Sequence, residues 1–370
     1  MSRELSARST APLSGGTLHR SVAAALTLGA VGAFALMGSA PPASAKWHAR
    51  PGGEAAAVGF LRRAVAAPDS VSYSGTRVVF AASPQGATTV LVDVRHVYGQ
   101  GTRITVRGGD SDGAIAMFLG DQRSGSQGLH ASQLSLLVDN FDLRVEGAAD
   151  IAGRPAVVVG ADHGGEPSAR FWIDRATGLL LRTEVYAADG RLWRASAFVR
   201  VRIHPHAFMQ HLPPIVQVPE AVALSRGSLP GLRRAGYRCP ARLGFGFALT
   251  DIDRLSEPTP AVHMTYTDGL SVISVFEQRG SLAASAVDGY QQVAIHGQQV
   301  YVKYGLPTSI LWASNDMVYT VLTDAPQSTL AHIVAAYPRH EPLSSDGFWS
   351  RLWRGLGRLI ACACPLAIGV

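Results

Sequence analysis

Short runs of β-branched and aromatic residues follow one another from residue 72 onward, each closed by a turn signal, and this constrains the fold more than any other feature. The first set comprises residues 72–81, 88–94, 102–106, 115–119, 154–159, 169–174, 179–186 and 192–203. Asp174 to Gly178 and Ala188-Asp189-Gly190 read as hairpin turns in which glycine supplies the positive φ. A single helical stretch, 54–67, leads them, with Ala57, Phe60, Leu61 and Val65 on one face and Pro68-Asp69 as the stop. A second short helix is expected around 134–138. Many strands at about ten-residue spacing with so little helix predict a curved antiparallel sheet wrapped around the helices.

Pro205, Pro213, Pro214, Pro219 and Pro230 interrupt the pattern and read as an interdomain linker. Strand signals resume at 262–266, 270–277, 290–295, 298–304, 308–313 and 317–322, and a last helix is expected over 327–336, between Pro326 and Pro338. This predicts a second, smaller α+β domain. The expected organisation is an export signal or N-terminal anchor at 1–45, a first domain at 46–203, a linker at 204–230, a second domain at 231–338 and a tail at 339–370.

Composition narrows the function classes. Hydrophobic residues make up 47% and charged residues 16%, enough for a large core, while a mean hydropathy of +0.14 excludes a polytopic membrane protein. The net charge is +6, but most of it lies at the two ends. There Arg3, Arg8, Arg20, Arg339, Arg351, Arg354 and Arg358 outnumber Glu4, Glu341 and Asp346. The body is nearly neutral, so no nucleic-acid partner is expected. The basic start, the apolar run 22–37 and Ala43-Ser44-Ala45 describe a secretory signal with cleavage after Ala45. Retention as an anchor is the alternative, since 22–40 is just long enough to span a bilayer. Either way the body is expected outside the cytoplasm. The three cysteines, Cys239, Cys362 and Cys364, cannot all pair internally, so the fold is expected to stand on its core.

Particular residues carry a family resemblance. Val71-Ser72-Tyr73-Ser74-Gly75-Thr76-Arg77-Val78-Val79 follows the leading helix. Ile151-Ala152-Gly153-Arg154, Arg170-Phe171-Trp172-Ile173-Asp174 and Thr177-Gly178-Leu179-Leu180-Leu181-Arg182 come next in order. Val218-Pro219-Glu220, Gly227-Ser228-Leu229-Pro230, Tyr266-Thr267-Asp268-Gly269-Leu270, Ser274-Val275-Phe276, Val318-Tyr319-Thr320-Val321 and Asp324-Ala325-Pro326 continue it. Over residues 54–338 the chain resembles the RseB/MucB family, extracytoplasmic regulators of an envelope-stress sigma factor. The resemblance implies a half-open, lipoprotein-carrier-like antiparallel β-barrel wrapped around helices, with an apolar cavity, followed by a domain that contacts a membrane-bound anti-sigma factor. It implies binding without catalysis or cofactor: the protein shields the anti-sigma factor from proteolysis until a lipid-like stress signal, a lipid or acyl ligand in the cavity, releases it. A lipid or lipoprotein carrier is the alternative, although a pure carrier of this fold does not need residues 220–338.

Beyond the resemblance, Trp349, Leu352, Trp353, Leu356 and Ile360 share one face of a helical pattern, with Arg351, Arg354 and Arg358 on the other. Such a basic amphipathic tail suits a membrane surface, and packing on the protein's own surface is the alternative. Gly109-Asp110-Ser111-Asp112-Gly113 matches a nucleophile elbow, but the stretch that follows is β-like where an elbow requires a helix, so a serine hydrolase using Ser111 ranks third. His204, His206 and His211 lack a fourth ligand for zinc, and Asp251, Asp253 and Glu257 lack the glycine and terminal glutamate of a calcium loop. No metal site is expected.

Overall fold

In the computed structural model the described residues are 53–107, 129–204, 221–256, 260–295, 297–314 and 316–337. The leading helix is α1 (Gly53–Ala66), which buries Ala57, Leu61 and Ala64. Strands β1 (Ser72–Ser83), β2 (Gly86–Val97) and β3 (Gly101–Arg107) follow. Then come α2 (Ala131–Asn140) and strands β4 (Asp142–Ile151), β5 (Arg154–His163), β6 (Glu166–Asp174), β7 (Leu180–Tyr186) and β8 (Leu192–His204). They form one antiparallel sheet in the order β3-β2-β1-β8-β7-β6-β5-β4, open at its β3 and β4 edges. The expected open sheet packed on helices is what forms. The segment 115–119 and Ser111 lie outside the described residues.

Period-two alternation sorts the side chains of this sheet. Ala169, Phe171 and Ile173 of β6 and Val157, Val159 and Ala161 of β5 face α1 and α2 in one apolar cluster. Arg170, Trp172 and Asp174 point the other way. Asp174 closes the turn after β6: its Oδ1 accepts from the Thr177 N–H at 2.7 Å and the Thr177 hydroxyl at 2.8 Å. Although burial pushes upward, the Arg154 guanidinium at 2.6 Å holds this carboxyl below its usual range. Gly178 follows at φ +80°, and a Cβ there would lie 2.8 Å from the Arg63 carbonyl oxygen of α1. Asp174 and Gly178 therefore lock this turn onto the first helix.

The second half contains β9 (Ala221–Ala223), α3 (Leu229–Arg234), β10 (Ala248–Leu255), β11 (Ala261–Thr267) and β12 (Val272–Arg279). Strands β13 (Gln291–Ile295), β14 (Gln298–Lys303), β15 (Thr308–Ser314), β16 (Met317–Thr323) and the helix α4 (Gln327–Ala335) complete it. Its antiparallel sheet runs β13-β14-β15-β16-β12-β11-β10-β9, with as many strands as the first despite the shorter span. Its core gathers Phe247, Met264, Tyr266, Trp312, Tyr319, Ile333 and Tyr337. Trp312 and Tyr319 stack with ring centroids 5.1 Å apart.

Four elements differ from the sequence expectation, and one of them, α3, begins inside the stretch read as linker. Strand β4 was not anticipated because its apolar positions are sparse and Gly147 sits at a bulge with φ +155°. Strand β10, not among the expected strands, carries Asp251 and Asp253. There Asp253 is buried beside His263, 3.5 Å away. Strand β9 falls within the proline-rich stretch read as linker and pairs with β10.

Candidate functional site

The two sheets meet at a seam, and the seam is built from short polar segments of the second half set against α2 and β8 of the first. Helix α2 begins at His130, whose N–H donates to the Gln133 side chain at 3.0 Å. It buries Leu134 and Leu137 and ends at Asn140. The Asn140 Nδ2 donates to the Asp268 carbonyl at 2.9 Å and lies 3.4 Å from the Gly246 carbonyl. Gly269 stands against the helix backbone: a Cβ there would fall 2.5 Å from the Leu137 nitrogen, and its φ is +103°. Only glycine meets both conditions. Leu270 then enters the cluster formed by α1, α2 and the first sheet, the one member of that cluster's buried set from the second half.

Opposite α2, Val185 pairs with Arg194, which places Arg194 on the helix-bearing face. Its Nη2 donates to the Leu270 carbonyl at 2.8 Å, and its Nη1 lies 3.0 Å from Asp324 Oδ2. Asp324 Oδ1 accepts from the Val272 N–H at 2.8 Å, and the Asp324 carbonyl accepts from Trp193 Nε1 at 2.9 Å. The Asp324 side chain is 0% exposed and that of Arg194 is 9%. Burial raises the Asp324 carboxyl, and the Arg194 charge opposes that rise. Burial also pushes Asp268 up to about 6, even though its Oδ1 accepts from the Leu270 and Ser271 N–H groups at 2.8 Å each. Leu306 supplies a second apolar insertion, joining the cluster that contains Tyr73, Val79, Val92 and Phe198.

The other face of the first sheet carries a buried ladder of charges. Arg170 Nε donates to Glu146 Oε2 at 2.8 Å, and Arg144 Nη2 to Glu146 Oε1 at 2.8 Å. Arg144 also pairs with Asp162. Tyr186 donates to Glu184, and Arg182 Nε reaches Glu184 Oε1 at 3.0 Å while its guanidinium lies 4.7 Å above the Trp172 ring. Gly160 leaves room for Glu146, because a Cβ would come 2.5 Å from that carboxylate. Every carboxylate of the ladder is paired, so it reads as a rigid support for the sheet.

Among the described residues no group of three histidines, cysteines or acids could hold a metal, and no helix is long and apolar enough to cross a membrane. His204 hydrogen-bonds Ser74 Oγ at 2.7 Å; His206 and His211 lie outside the described residues. Cys239 is buried, and burial pushes its thiol up to about 12. The tail residues Trp349, Leu352, Trp353, Leu356, Arg351, Arg354 and Arg358 also lie outside them, as does the 1–45 segment.

Residues 121–216, from before α2 to beyond β8, match the family model described as the MucB/RseB N-terminal domain. Over that segment the chain is similar to the MucB/RseB family. No curated protein matches the chain. Among solved structures, a crystal structure of MucB is 20% identical, covers 76% of this chain and 97% of its own, and has a TM-score of 0.43. The MucA/MucB complex of Pseudomonas aeruginosa is 21% identical, covers 78% and 100%, and has a TM-score of 0.39. A lipoprotein-sorting protein domain from Vibrio parahaemolyticus is 9% identical, covers 42% and 95%, and has a TM-score of 0.21. The resemblance read from the sequence thus stands for the segment that contains α2, Trp172, Gly178 and Arg194. Sequence reasoning singled out Asp268, Gly269, Leu270 and Asp324 as parts of the resemblance but gave them no role. The chain separation of about 130 residues between Arg194 and Asp324 hides their pairing from any local reading.

Proposed function

We propose that this protein is an extracytoplasmic regulator that binds the exposed segment of a membrane-bound anti-sigma factor, shields it from proteolysis and lets go when an apolar ligand arrives. The single observation that carries the reading is the match of residues 121–216 to the MucB/RseB N-terminal domain. The family consists of regulatory binding proteins, and the solved MucB relative from Pseudomonas aeruginosa is held in complex with MucA. In this reading residues 46–203 sense the ligand, 204–230 join the halves, 231–338 hold the partner and the tail at 339–370 touches the membrane surface.

The seam offers a physical route for release. An acyl chain entering between the helices and the first sheet gains about 0.8 kcal/mol per buried methylene. To do so it competes with Leu270 for the same apolar cluster. Displacing Leu270 breaks the Arg194 contact with its carbonyl and disturbs the Asp324 pair. A ligand shifts the partner only through such a difference between bound states. A pure carrier needs that apolar face free, whereas Leu270 occupies part of it.

Crosslinked affinity purification of the full-length protein from its own cells tests the reading. Recovery of a single-span membrane protein with a sigma-binding domain is expected. Recovery of lipids or many lipoproteins without such a partner would replace this reading with a carrier.

A further inference from the structure

The second half contains a concavity that no part of the seam uses. A cleft of about 480 Å³ opens between α3 and the strands β10 and β11, lined by Ser228, Leu232, Tyr237, Arg254, Pro260 and Val262. Leu232 and Val262 are buried and form an apolar floor, while Arg254 is exposed at its edge.

The charge around this cleft is one-sided. Between Glu220 and Asp251 the chain holds Arg226, Arg233, Arg234, Arg238 and Arg242 and no acid. All five are exposed; Arg233 and Arg234 lie on α3, which walls the cleft, and Arg254 lines it. Arg226 donates to the Leu249 carbonyl at 2.6 Å and Arg233 to the Cys239 carbonyl at 2.9 Å, contacts that position the guanidinium groups without neutralising them. Among the described residues no salt bridge reaches Arg226, Arg233, Arg234, Arg242 or Arg254. Of the nearby acids, Asp253 faces His263, and Glu277 accepts from the Arg238 and Cys239 N–H groups inside the fold.

We infer that this cleft takes an acidic peptide segment of the partner, with one apolar side chain seated on Leu232 and Val262 and its carboxylates set among the arginines. The inference rests on the regulator reading and names where that partner sits. Exposed, unopposed cations attract an acidic chain and speed its docking. A concave apolar floor suits a protruding side chain, whereas a flat bilayer would be met by a convex patch.

The test uses the full chain in its own cells, with a benzophenone photocrosslinker replacing Ala235 at the cleft and, as control, Leu91 on the first sheet. Both positions are exposed or at a lining edge. The expected result is a crosslink from position 235, and not from 91, to the single-span partner, within a peptide that carries acids around an apolar residue. Arg234→Glu combined with Arg254→Glu should weaken binding of that purified partner segment about ten-fold or more and flatten its salt dependence, with circular dichroism unchanged. Recovery of the partner by wild-type protein with no crosslink at 235 and no loss in the double variant overturns the cleft and leaves the regulator reading standing. A crosslink to vesicles of phosphatidylglycerol in place of the partner peptide assigns the patch to a membrane and also overturns it. Failure of wild-type protein to recover any single-span partner removes the regulator reading, and this site with it.

Discussion

Removing the Arg194 guanidinium should separate the two halves of this molecule. In Arg194→Met the apolar stem is kept, so the packing beside Val185 is largely preserved, but two interactions disappear. The Leu270 carbonyl loses a donor at 2.8 Å, and Asp324, with a side chain 0% exposed, loses its counter-charge. Breaking one side of a buried ion pair costs about 3–5 kcal/mol, because the remaining charge is left in a medium that solvates it poorly. Asp324 limits this by taking up a proton, since its carboxyl is already raised by burial. The expectation is therefore a loss near the lower end, about 3 kcal/mol, read from urea unfolding followed by tryptophan fluorescence. Because the lost contacts join the halves, the transition should also split or broaden, lowering the apparent m-value. Arg194→Met with Asp324→Leu removes both charges and should lose less than the two single variants summed, although Val272 N–H keeps no acceptor at a cost of about 1–3 kcal/mol. Losses that add within about 0.5 kcal/mol, or an Arg194→Met variant that loses under about 1 kcal/mol, would refute the claim that this pair couples the halves.

Other perturbations give separate outcomes. Gly269→Ala combines a backbone clash 2.5 Å from Leu137 N with φ +103° and should destabilise by more than about 2 kcal/mol in thermal unfolding. Gly164→Ala, at φ +62° with nothing within 4 Å, should lose only about 1 kcal/mol. Stability should fall as pH rises from about 4 to about 7. Burial raises Glu277 from 4.5 to about 7 and Asp268 from 3.8 to about 6, against the N–H groups that favour their charged forms. The folded state thus holds protons that the unfolded chain releases, so the benefit is complete below the unfolded values and gone above the folded ones. Urea midpoints that rise between pH 5 and pH 8 in wild type, or that fall as steeply in Glu277→Gln, would contradict this assignment. Alkylation mapped by mass spectrometry should leave Cys239 unmodified in folded protein at pH 8 and label it in urea, since its thiol is pushed up to about 12.

Much of the fold was legible in the residues because it depends on local rules. Alternation in β5 and β6, the turn after Asp174 and the helical spacing of Ala57 and Leu61 each act within one element or one hairpin, and each formed nearly where expected. Strand β4 was missed because half of it is small or charged, and its place is set by pairing with β5 and by Glu146 lying over Gly160. Strand β10 was not expected because Asp251, Asp253 and Arg254 interrupt its apolar pattern.

By itself the sequence determined two runs of antiparallel strands, the leading and closing helices, the family resemblance across them and the near-neutral body, because strand period, turn chemistry and charge count are properties of neighbouring residues. Only the tertiary structure decided that Asn140 meets Asp268, that Gly269 lies on the Leu137 backbone and that Arg194 finds Asp324. It also set α3, with Arg233 and Arg234, beside Arg254 at one cleft. These are meetings of distant segments, fixed by which buried polar groups can satisfy one another once the two sheets have packed, and no local pattern encodes them.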